Sequence, residues 1–174
     1  LENVVQMAAD KGLTEIKFYL ITCLPKEDLQ GSARLIEKIL KIIAQSKTML
    51  HISMNPLIPK AHTPFQWLPP PKPDDVKESY KRYLKLLRGP RVRVEVLNPY
   101  RATFQAILSL GDDDLGPYLV KLAELGLKSW AAMTRFLPEA LLRPREETPW
   151  SVVDVGHDKK FVARSFEEAK ALKR

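Results

Sequence analysis

Residues 51–67, His51-Ile-Ser-Met-Asn-Pro-Leu-Ile-Pro-Lys-Ala-His-Thr-Pro-Phe-Gln-Trp67, decide the reading of this chain. Leu50, Ile52 and Met54 fall on one side of an extended segment, and His51, Ser53 and Asn55 fall on the other. Period-two alternation of this kind predicts a β-strand over 50–55. Pro56, Pro59 and Pro64 then lack the amide hydrogen that a ladder needs, and they stiffen the exit. A strand with one polar face that runs into a stiff loop can deliver polar side chains to a ligand. The plain alternative is a strand followed by a surface loop.

On the N-terminal side, residues 2–11 carry Val4, Val5 and Ala8 at helical spacing and close on Gly12. Ile16-Lys-Phe-Tyr-Leu-Ile21 is rich in aromatic and β-branched residues and reads as a strand. Its apolar residues on both faces from Phe18 onward predict a central, parallel position. Glu27 or Asp28 can cap the next helix, whose stripe of Leu35, Ile36, Ile39, Leu40 and Ile43 suits packing on a sheet. Strand, helix and strand in this order predict a right-handed βαβ crossover.

On the C-terminal side, Val76, Tyr80, Tyr83, Leu84 and Leu87 predict a helix over 74–87, ended by Gly89-Pro90. Arg91-Val-Arg-Val-Glu-Val96 alternates strictly and predicts an edge strand with one charged face. Beyond residue 98 the pattern turns helical, with Ala102, Ala106, Ile107 and Leu110, then Leu115, Leu119 and Leu122, then Trp130, Met133 and Phe136. Another helix is expected near 165–172. The division is therefore an α/β region over 1–98 and a helical extension over 99–174.

The chain has 174 residues, 45% hydrophobic and 28% charged, which suits a soluble domain with a real core. No run of about 18 apolar residues offers a membrane span. Cys23 is the only cysteine, so an internal disulfide or a multi-cysteine zinc site is excluded, and a reducing cytoplasm is the expected setting. A site built from Cys23, His51 and His62 follows no metal-ligand spacing. The net charge of +7 favours an anionic partner such as nucleic acid, although solubility explains it equally well. The opening Leu1-Glu2-Asn3 has neither an initiator Met nor a signal-peptide pattern, and it reads as a cut inside a larger chain.

Two stretches, Lys17-Phe-Tyr-Leu-Ile-Thr-Cys-Leu-Pro-Lys-Glu27 and Pro59-Lys-Ala-His-Thr-Pro-Phe-Gln-Trp67, together resemble a family of radical S-adenosylmethionine (SAM) proteins. It is the uncharacterised group that often carries an N-terminal cobalamin-binding-type domain. Ala106-Ile-Leu-Ser-Leu-Gly-Asp112 and Pro149-Trp150 with Asp154-Val-Gly156 and Phe161 extend the resemblance in order along nearly the whole chain. The resemblance implies the C-terminal portion of a partial (β/α)6 barrel with parallel strands, plus a small helical appendage. Residues 16–21 and 50–55 would match the last two barrel strands. The Cys-x3-Cys-x2-Cys loop that holds a 4Fe–4S cluster would lie in a missing N-terminal half.

The same resemblance implies roles for individual residues. Ile21, Cys23 and Glu27 match a Gly-x-Ile-x-Gly-x-x-Glu-like motif at the end of a strand that holds the adenine of SAM. Ile21 would touch adenine, or else pack in the core. Glu27 would brace the turn or cap the helix. Cys23 stands at a glycine position and adds bulk there, and Lys26 replaces a typical Thr. Asn55 and Leu57 complete the expected cofactor contacts. Lys17, Tyr19, Ser53 and His62 would face substrate, with His62 alternatively a loop brace and His51 a structural histidine. The fragment would contribute SAM and substrate contacts to hydrogen abstraction by the full-length enzyme, with cobalamin a possible further cofactor, and would be inactive alone. Its open barrel edge predicts self-association, rearrangement or cover by its own N-terminal segment. A basic α/β module that binds RNA or a protein, without catalysis, is the other reading.

Overall fold

A computed structural model describes residues 1–144, 149–156 and 158–171. The elements run α1 (Glu2–Asp10), β1 (Glu15–Thr22), α2 (Leu29–Ala44), β2 (Met49–Pro56), α3 (Pro73–Leu86) and β3 (Val92–Val96). Then follow α4 (Pro99–Leu110), α5 (Gly116–Glu124), α6 (Trp130–Phe136) and α7 (Lys159–Ala171). The helix expected near 165–172 starts earlier, at Lys159, and its last expected residue lies outside the described ones.

The three strands form one parallel sheet in the order β1-β2-β3. Parallel neighbours need a crossover, and α2 and α3 supply the two. β3 lies at an edge, as its charged alternation predicts. β1 does not take the central position expected of it: β2 does, and β1 is the other edge. The apolar residues that suggested a two-sided burial are split. Ile16, Phe18 and Leu20 pack on the core, whereas Tyr19 and Ile21 are 73% and 50% exposed. Among the described residues, no strand pairs with the outer side of β1.

The alternation of β2 does what its spacing predicts. Leu50, Ile52 and Met54 are buried against Ile39 and Ile43 of α2 and Val76, Tyr80 and Tyr83 of α3. Burying a side chain of this size contributes roughly 1.5–3 kcal/mol, which fixes the register of the sheet. Asp28 is the N-cap of α2, its carboxylate accepting from the Gly31 amide at 2.8 Å. Gly12, just past α1, takes φ +74, the left-handed conformation that ends a helix most cheaply with glycine.

The chain divides into two compact units, one of residues 1–56 and 75–97, the other of residues 57–74 and 98–174. Each has its own core: the sheet core just described, and a helical one of Phe104, Ile107, Leu115, Leu122, Leu137 and Leu141. The proline-rich segment 57–74, read from sequence as part of the first region, goes with the second unit. Prolines keep it out of the ladder, and α4 holds it. Thr103 Oγ1 donates to the Pro71 carbonyl at 2.6 Å, and Lys60 Nζ donates to Ser109 Oγ at 2.7 Å.

Candidate functional site

Parallel strands leave their loops at one end, and ligands of open α/β sheets bind there. In the first unit that end is built by Thr22 at the end of β1 and Cys23 just after it, by Asn55 at the close of β2, and by the turn from Leu24 to Asp28. The register aligns Ile21 with Asn55 and Thr22 with Pro56, so the two strand ends lie side by side. Cys23 has φ 61 and Lys26 has φ 55, both left-handed and both costly for a residue with a Cβ. Such strain persists only where the surroundings hold it.

Glu27 is what holds it. One oxygen of its carboxylate accepts the Cys23 amide at 3.3 Å, and the other accepts the Tyr83 hydroxyl at 2.7 Å. Of the two roles expected for Glu27, the structure gives it the brace and gives the cap to Asp28. Tyr83 is buried within α3, and burial, reinforced by Glu27, pushes its phenol up to about 12. Tyr80, one turn earlier, has its pKa raised chiefly by burial, with a further push from nearby Cys23. Its hydroxyl is buried and finds no well-aligned partner among the described residues. Burial also pushes the Cys23 thiol up, against hydrogen bonds to Thr22 and Ser79 that pull it down. A thiol held protonated is a poor nucleophile, so Cys23 suits contact and not attack.

The polar face of the sheet is ordered by register. Lys17, His51 and Arg93 form one row, and Tyr19, Ser53 and Glu95 the next. Lys17 and Tyr19 point to solvent, with the ammonium 5.3 Å from the ring centroid. Asn55 Nδ2 donates to Ser53 Oγ at 3.4 Å. His51 lies between two carboxylates, with Nδ1 3.3 Å from Glu15 and Nε2 3.3 Å from Glu95. Only the Nδ1 contact has hydrogen-bond geometry. Flanked in this way from both edge strands, His51 reads as structural.

Of the nine residues singled out from sequence, Lys17, Tyr19, Ile21, Cys23, Glu27, Ser53 and Asn55 belong to the first unit. Leu57 and His62 belong to the second. His62 has φ 60, and its amide donates to the buried Gln66 side chain at 2.8 Å, which pins the 59–67 loop. Its Nε2 is buried without a partner among the described residues. Sequence reading missed Glu15, Ser79, Tyr83 and Glu95. Tyr83 sits in an apolar stripe and reads as core, and the two glutamates meet His51 only through cross-strand register. Among the described residues, no group of His, Cys, Asp and Glu is arranged to hold a metal ion.

The Cys23 backbone keeps the left-handed conformation that glycine takes without strain, so what differs from a glycine there is the added side chain. A cluster held by three cysteines has no counterpart in a chain with one.

No family model and no solved structure matches the chain. Among curated proteins it is similar to an uncharacterized protein of Methanocaldococcus jannaschii, 32% identical over an alignment of 124 residues that covers 68% of this chain. The matched part is 26% of that protein, so the chain spans about a quarter of its relative's length.

Proposed function

We propose that this chain is the C-terminal part of a radical SAM enzyme, with β1 and β2 matching the last two strands of the family's partial barrel and β3 a further parallel strand beside β2. The observation that carries this reading is the parallel, in-register pairing of β1 and β2. It sets Cys23, in a glycine-type conformation at a position where the family has glycine, next to the end of β2. In this reading Ile21 and the Cys23 backbone approach the adenine, Asn55 supplies a polar contact, and Glu27 fixes the turn without touching the ligand. Bound SAM would supply the hydrogen-abstracting chemistry. The 4Fe–4S cluster, and cobalamin if it is used, would be held by the N-terminal half. That half would also cover the open side of β1 and the exposed Tyr19 and Ile21. A single cysteine suits a reducing, cytoplasmic setting.

The coding sequence upstream of Leu1 tests this. A Cys-x3-Cys-x2-Cys motif followed by strand and helix patterns is the expected result. An upstream region without that motif refutes the reading. The exposed Lys17–Tyr19 pair favours a second one, an RNA-binding module in which a base stacks on Tyr19. Salt-dependent RNA binding that Tyr19→Ala removes would decide for it.

A further inference from the structure

We propose that a pocket at the opposite, N-terminal end of the sheet binds a small aromatic anion. The pocket lies between the C-terminal end of α2 and the 88–92 segment that leads into β3, with a volume of about 270 Å3. That is close to the lower end of small-ligand sites, which start near roughly 300 Å3. Its floor is apolar: Leu40 and Ile43 from one side, Pro90 and Val92 from the other. Ile43 and Val92 also belong to or pack on the sheet core, so the floor is set by the fold itself.

The rim carries the charge. Lys41 is taken by Glu37 at 3.0 Å, within the same helix. Arg91 Nη1 donates to the Ala44 carbonyl at 3.2 Å, which caps α2 and leaves its other donors to spare. Arg88 is exposed and makes no ion pair among the described residues. Three cations face one carboxylate there, an excess that favours an anion over a neutral or cationic guest. An apolar floor under a guanidinium pair suits a flat ring with one carboxylate or sulfonate, since arginine both stacks on rings and grips such oxygens in pairs. This site shares no residue with the strand ends assigned above, and it stands or falls separately from them.

The test is a titration of the whole chain with naphthalenesulfonate, followed by backbone amide NMR, with the neutral naphthalenemethanol as control. Shifts centred on Ala44, Gly89 and Val92 are expected, with binding at least several-fold tighter for the sulfonate. Arg88→Glu should weaken the sulfonate by about tenfold, the effect of losing one charge-assisted contact of about 1.4 kcal/mol. Because Arg88 is exposed and unpaired, that variant keeps the fold, which an unchanged amide spectrum elsewhere would verify. The proposal is overturned by shifts centred elsewhere, by no shift up to the solubility limit, by equal affinity for the neutral ring, or by an Arg88→Glu variant that binds as before.

Discussion

Tyr83→Phe is the most informative single change in the first unit. It keeps the buried ring and removes the hydroxyl that donates to Glu27 at 2.7 Å. A hydrogen bond to a charged group contributes about 1.5–3 kcal/mol. Glu27 is only half-buried and can take water in exchange, so the lower figure of about 1.5 kcal/mol applies. With a urea dependence of about 2 kcal/mol per molar, the unfolding midpoint should fall by about 0.75 M at an unchanged slope. Glu27→Gln removes the charge and leaves one weaker acceptor for two donors. In the double variant the two losses should fall short of their sum by about 1 kcal/mol, because they act on one bond. The amide of Cys23 should lose hydrogen-exchange protection in Glu27→Gln, since its acceptor at 3.3 Å is the other oxygen of the same carboxylate. Additive losses, within about 0.3 kcal/mol, would refute the brace.

Three further outcomes follow from the same unit. Cys23→Gly should be more stable than Cys23→Ala by about 1 kcal/mol in urea unfolding, because φ 61 strains alanine and not glycine. Met54→Ala, at a fully buried site on the central strand, should cost about 2–5 kcal/mol by the same assay and leave α4 to α7 helical by circular dichroism. At high pH the Tyr83 phenol, raised to about 12, and the Tyr80 phenol, raised further, keep their protons in the folded chain after the unfolded chain has lost them. Stability is therefore full below about pH 10 and falls as pH rises toward 12. Urea midpoints measured across that window should drop less steeply in Tyr83→Phe.

Much of the sheet is legible in the sequence because its signals are local. The alternation of residues 50–55 and 91–96, with amphipathic stripes between, is enough to set strand, crossover and neighbour. The edge position of β1 is not legible, since Tyr19 and Ile21 look the same whether they face a second layer or solvent. Which partner holds the 57–74 segment is decided by Thr103 and Ser109, far away in sequence. At the candidate site, Cys23 and Glu27 were marked by a resemblance, and the structure adds why they belong together: one strained backbone and one carboxylate bracing it. Lys26 gives no sequence sign of its left-handed backbone, because lysine seldom adopts it, whereas His62 is of a type found there more often and its place between prolines was a weak hint.

The claim on which the functional account turns is that the C-terminal ends of β1 and β2 receive SAM. Backbone amide NMR of the chain, titrated with SAM to millimolar concentration, tests it directly. The account predicts shifts confined to Ile21 through Glu27 and Asn55, and weaker binding than an intact enzyme would show. An unperturbed spectrum at those positions, or shifts spread over the basic surface alone, would contradict it.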